Sequence, residues 1–262
     1  MKDFTIELQD LVVQREEVKV LNNINIGFPK GKTSVIMGPS GCGKSTLLKV
    51  AAGIIPPEGG KVFVNGKDLN KMSEKELLAF RKKNSFVFQD AALWANKSIF
   101  QNLSLPLEFH YRSFSAAERK RRIEQIIEKV GFYDDPLLRP SQLSAGECKI
   151  ASFARALITD PDIIFMDSPT MSVDHEFSDR IIKMIKELKE QNRTLIISTH
   201  NPVLTSMVAD YLYILKKGTI LEYGEFSTVV RSTNKEVTAI LTDVLSQTST
   251  FDSDILNLLE PG

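Results

Sequence analysis

The chain has 262 residues, 42% hydrophobic, 25% charged and 8% aromatic. That is enough to bury a full core in one large domain or two small ones, and it excludes a disordered, collagenous or membrane-spanning chain. Thirty-three Lys and Arg balance thirty-three Asp and Glu, and there are two cysteines, so charge gives no pull toward nucleic acid or acidic lipid and no disulfide framework forms.

The N-terminal MKDFTIELQDL reads as strand-like and lacks a signal-peptide core. Strands are expected at Thr5–Leu8, Leu21–Phe28, Thr33–Met37, Lys61–Val64, Ser85–Phe88, Ile163–Met166, Thr194–Ser198 and Tyr211–Leu215. TSVIM, DIIFMD and TLIIST are nearly continuous in apolar residues, as in parallel strands covered on both faces. Alternation with helix-period segments gives an α/β fold. Between Gln89 and Asp160 strand signals vanish, and Ser115–Val130 and Cys148–Leu157 read as helices, the first with a solvated basic run, Arg119–Arg122, among glutamates. The expected organisation is a domain over 2–227, with core 2–88 and 160–227 and a helical subdomain at 89–159, followed by a helical tail over 228–262. In that tail Ile240, Leu241, Val244 and Leu245 fall at helical spacing, and a polar stretch precedes Ile255, Leu256, Leu258 and Leu259. It reads as a helix folded back on its own domain or as an arm that docks on a partner.

Gly38-Pro39-Ser40-Gly41-Cys42-Gly43-Lys44-Ser45 follows the strand TSVIM and opens a helix that begins with Thr46. This is a P-loop in its strand–loop–helix setting. Glycines let successive N–H groups point inward, and the helix start adds positive dipole, so the concavity suits a triphosphate. Lys44 is placed to reach the β- and γ-phosphates, and Ser45 to offer its hydroxyl to Mg²⁺. Cys42 reads as a small spacer. Farther on, Ile163–Met166 ends in Asp167, a carboxylate at the C-terminal end of a buried strand, where such sheets bind ligands and where it can hold the same Mg²⁺.

With these motifs the sequence resembles the ATP-binding subunit of ABC transporters. GPSGCGKS matches the Walker A motif, IIFMD the Walker B strand and Gln89 in FVFQD the Q-loop. Leu143-Ser144-Ala145-Gly146-Glu147 matches the LSGGQ signature with changes, Ser172-Val173-Asp174 the D-loop, and His200 in ISTHN the switch histidine. The resemblance runs over about residues 4–224. It implies a P-loop NTPase with a helical subdomain inserted in the core sheet, binding ATP and Mg²⁺ through the loop, Gln89 and Asp167. Catalytic roles fall to Gln89, Ser168 and His200, and Asp174 serves the D-loop. Ser144, Ala145, Gly146 and Glu147 would contact ATP held by a second subunit. On its own, the signature reads as a helix start receptive to anions or as an ordinary N-capping turn.

FVFQDAALWANKSIFQNLSLPLEFH is further similar to the Q-loop region of Mla/Mce-type lipid-transport ATPases, in which an arginine, here Arg15, stands where most relatives stack adenine on an aromatic. The implied partners are a second ATP-binding subunit, an integral-membrane permease and a small regulatory domain protein, with no nucleic acid. The implied place is the inner face of the cytoplasmic membrane. A lipoprotein-release or macrolide-type exporter is the alternative transporter. Trp94, just after the Q-loop, reads equally as an interface anchor or a core residue.

Two departures bear on mechanism. Ser168 stands where the family places the glutamate that deprotonates water; losing a general base slows such reactions about 10²–10⁴-fold. Glu176 is a nearby acid, but it reads as solvated. Ala145 and Glu147 add a β-carbon and a negative charge beside an anion. A nucleotide-binding regulatory subunit with little turnover is therefore the competing function.

Overall fold

The computed structural model describes residues 4–246. The chain starts with β1 (Phe4–Arg15), β2 (Val18–Pro29) and β3 (Thr33–Met37), then α1 (Lys44–Ala51), β4 (Gly59–Val64) and β5 (Lys67–Asp68). There follow α2 (Glu74–Lys83), β6 (Asn84–Val87), α3 (Ile99–His110), α4 (Ala116–Val130), α5 (Ala145–Leu157), β7 (Ile163–Asp167) and α6 (His175–Glu190). The last part comprises β8 (Thr194–Ser198), α7 (Pro202–Val208), β9 (Tyr211–Lys216), β10 (Thr219–Glu225), α8 (Phe226–Val229) and α9 (Lys235–Ser246).

These elements form two compact units. One runs to Met72 and resumes at Lys189; the other is Ser73–Leu188. The division differs from a helical insertion bounded at 89–159. β6 and β7 pair in parallel, and α2 and α5 both pack on β6, so these strands cluster with the helices around them.

In the first unit an antiparallel sheet has the order β2-β1-β4-β5. Beside it, β3 lies in parallel between β8 and β9, and β10 returns antiparallel on β9. Every residue of β3 and β8 is buried, as their unbroken apolar runs require. β1 outruns the expected Thr5–Leu8 because its alternation breaks at Asp10, where φ is 49° and the register with β2 shifts, yet the ladder continues to Arg15. Asn25 holds this break: its Oδ1 accepts from the Asp10 N–H at 2.9 Å, and its Nδ2 donates to Asp10 Oδ1 at 3.1 Å. The fully buried Tyr213 on β9 donates to Gly27 O on β2 at 2.6 Å and so links the two strand systems. α9 buries Val237, Ile240 and Leu241, and Glu236 pairs with Lys216 at 2.6 Å. The Val244 and Leu245 side chains and the apolar end at Ile255–Leu259 lie outside the described residues.

In the second unit, serine-led capping boxes start α2 (Ser73, Glu76), α3 (Ser98, Gln101), α4 (Ser115, Glu118) and α5 (Ser144, Glu147). The capping box at Ser144 sets the start of α5 at Ala145, three residues before the expected Cys148. Gly146 is thereby inside the first turn and not ahead of the helix.

Candidate functional site

The loop from Gly38 to Gly43 joins the fully buried β3 to α1 in the first unit. Gly38 can carry no side chain, since a Cβ there would lie 1.9 Å from Leu215 O. Gly43 sits at φ 109°, and its Cβ would press on Val20 O at 2.9 Å. The Lys44 Nζ, on a 7% exposed residue, donates to Gly38 O at 2.8 Å and Pro39 O at 2.9 Å, so the cation folds back over the loop. Cys42 is buried, and burial pushes its thiol above the ordinary range against the pull of Lys44. That fits a spacer. Ser40 and Gly41 are exposed, Ser45 is half-buried and Thr46 buried.

The start of α1 differs from those of α2 to α5 in having no side-chain cap, and like that of α3 it has no acid in its first turn. An uncapped start beside a cation is receptive to an oxyanion.

His200 lies in the same unit, after β8. Burial, then the Lys44 charge, lowers its pKa below the ordinary 6.5, and Asp243 on α9 pulls the other way. The imidazole is therefore neutral at pH 7. Arg15 is exposed at the end of β1.

The second unit holds the remaining motif residues. Asp167 ends β7 and is 3% exposed. Ser168 follows with φ 47°, a backbone region that non-glycine residues seldom adopt. Asp174 leads into α6, its Oδ1 accepting from the Phe177 N–H at 3.0 Å. Glu176 is exposed, as expected of a solvated face.

At the signature, Ser144 Oγ accepts from the Glu147 N–H at 3.2 Å, and a Glu147 carboxylate oxygen accepts from the Ser144 N–H at 2.6 Å. The Ser144 N–H first, and then the Ser144 hydroxyl, hold the Glu147 carboxyl below the usual carboxylate range. The sequence left open a helix start receptive to anions and an ordinary N-capping turn; here the Ser144 N–H faces the chain's own carboxylate and the Glu147 N–H faces the Ser144 hydroxyl oxygen. Gly146 is buried under Phe177, whose Cδ2 would lie 2.2 Å from an added Cβ.

Gln89 is exposed, on a loop braced by residues that the motif reading passed over. Lys149 of α5 donates to Phe88 O at 3.2 Å and Gln89 O at 2.5 Å. Arg155 donates to Ala92 O at 2.6 Å and Ala91 O at 2.9 Å. The fully buried Asn102 accepts from the Trp94 N–H at 2.8 Å and donates to Ser98 O at 3.0 Å. The available signal was helical spacing, which puts Lys149 on the same face as Phe153. Trp94 is 57% exposed and so is not a core residue.

Residues 21–171 match the family described as ABC transporter. The chain is 34% identical over 246 residues to the intermembrane phospholipid transport system ATP-binding protein MlaF of Haemophilus influenzae, covering 92% of this chain and 91% of that relative. It is 33% identical over 223 residues to the methionine import ATP-binding protein MetN of Rhodopseudomonas palustris, covering 85% of this chain and 60% of that protein's length. In fold it is similar to the ATP-binding cassette MJ0796, a dimer in a post-hydrolysis state bound to ADP and Pi, with a TM-score of 0.78 and 29% identity over 84% of this chain and 98% of that one.

Proposed function

The chain belongs to the ABC transporter family as an ATP-binding domain, and we propose that it energises a lipid transporter from the inner face of the cytoplasmic membrane. It would close with a second ATP-binding subunit on MgATP, beside an integral-membrane permease and a small regulatory protein, and hydrolyse slowly. Among the described residues no helix is long and apolar enough to cross a membrane, so the lipid path falls to the permease. The observation that carries the reading is the uncapped start of α1 under a glycine-shaped loop with Lys44 across it. The likeness to MlaF and the Q-loop stretch around Gln89 support lipid as the cargo over an exporter of lipoproteins or macrolides.

In this reading Lys44 exchanges its two loop carbonyls for the β- and γ-phosphates, while N–H groups from Ser40 to Thr46 line the phosphate chain. Arg15 stacks on the adenine through its guanidinium plane. By the family resemblance the Ser45 hydroxyl, the Gln89 amide oxygen and the Asp167 carboxylate would each offer an oxygen of the kind Mg²⁺ takes, and the bound ion would neutralise phosphate charge. Neutral His200 orients water at the γ-phosphate. Ser168 can hydrogen-bond that water but is a poor base near pH 7, and Asp174 and residues 144–147 meet the partner subunit's nucleotide.

Calorimetry with MgATP tests the loop: Lys44→Ala is expected to abolish the heat of binding seen with the parent chain. Ser168→Glu in the transporter complex is expected to raise turnover about tenfold or more; equal rates would sink the weak-base reading. Ser168 and the carboxylate at the signature also favour a second reading, a regulatory subunit that closes on ATP with little turnover. Single-turnover hydrolysis without multiple turnover would select it.

A further inference from the structure

Lys149 is 3% exposed, and its hydrogen bonds go to main-chain oxygens and not to a carboxylate. Burial holds its pKa below the ordinary range and outweighs Asp90 and Asp167, which attract its charge, so an apolar side chain of similar length would serve the core as well. Its use must therefore lie in the geometry it imposes.

The two oxygens it holds are specific ones. Phe88 O belongs to the peptide group before the Gln89 Cα, and Gln89 O to the peptide group after it. Peptide groups are planar, so holding both fixes the two dihedrals at Gln89 and with them the direction of its Cα–Cβ bond. The loop needs such restraint, because Ala91 and Ala92 follow at φ 62° and 48°, where alanine is strained. Arg155 bonds the oxygens of those two residues. Lys149 and Arg155 both stand on α5, the helix that starts in the signature.

We propose that Lys149 is a positioning residue for Gln89: by holding both flanking peptide oxygens, it aims the Gln89 side chain and ties the loop to the signature helix. The inference rests on the role given to Gln89 above. It also makes displacement of α5 a displacement of Gln89, so that signature and Q-loop act as one body.

The test uses the full chain, with turnover read in the transporter complex. Lys149→Met is expected to lower MgATP turnover about tenfold or more while the KM for ATP stays within about threefold, as loss of orientation without loss of binding does. Lys149→Arg, which still donates, should restore most of it. In the absence of nucleotide, acrylamide quenching of Trp94, the only tryptophan, should rise in Lys149→Met and return in Lys149→Arg. Combined with Gln89→Ala, Lys149→Met should add no further loss, because both changes remove one function. Losses that multiply, or Trp94 quenching that stays at the parent level in a slowed Lys149→Met, overturn the proposal. Turnover untouched by Gln89→Ala instead overturns the role of Gln89 on which it rests. Should Lys149→Met fail to fold, Lys149→Gln, which is shorter and uncharged and so holds the two oxygens less well, must fall between the parent and Gln89→Ala.

Discussion

His200 stands where burial and a neighbouring cation push the same way, both disfavouring the imidazolium. With its pKa below 6.5, the folded protein takes up this proton only at lower pH than the unfolded chain does. Stability from this group is therefore complete above 6.5 and drains away as pH falls through the folded value. Turnover that uses the neutral ring should stay level from pH 8 to 7 and decline only on the acid side; a pH–rate profile in which His200→Gln loses that acid limb checks this. Single residues of this kind were legible in sequence because they stand in fixed spacings: GPSGCGKS, a buried strand ending in Asp167, and His200 after TLIIS. Lys149 and Phe177 were not, since their part is played through contacts with residues distant in the chain.

At the next scale, helix starts and hairpins decide what can be read. Ser-x-x-Glu and Ser-x-x-Gln announce α2, α3, α4 and α5 three residues at a time, and Ser144-Ala145-Gly146-Glu147 is one of them. Starting the helix at Cys148 set it three residues late, because Ser144 and Glu147 close the box around Ala145. The short hairpins obeyed local chemistry too. Asn65-Gly66, both at positive φ, turns β4 into β5, and Lys217-Gly218 turns β9 into β10. β10 went unread because it is half-exposed along most of its length and shows no clean alternation. Gly146 makes packing between α5 and α6 testable. Gly146→Ala would drive a methyl into the Phe177 ring, so stability should fall by about 1–3 kcal/mol in a denaturant melt. Phe177→Ala in the same chain should return part of that loss, since it empties the contested space.

For the molecule as a whole, the α/β class followed from unbroken apolar runs at TSVIM, IIFMD and TLIIS. Its division at Met72 and Lys189 did not, because grouping depends on which strand a helix covers, and that is a tertiary choice. The first unit has two strand systems, and Tyr213 joins them. Burial lifts its phenol above the ordinary 10.0, so the unfolded chain loses this proton first. The tie contributes fully below pH 10 and weakens as alkalinity rises past it. Tyr213→Phe should cost about 1–3 kcal/mol by stranding Gly27 O, and the pH dependence of its melting above 10 should be flatter than the parent's.

That one phenol has a mechanical consequence. Gly27 belongs to the sheet that carries Arg15, and Tyr213 to the strand next to the one that feeds the P-loop. Amide-exchange protection along Val18–Pro29 and Tyr211–Lys216 should thus be lost in one cooperative opening, leaving the sheet that carries Arg15 no route to fray while the strand before the P-loop stays shut.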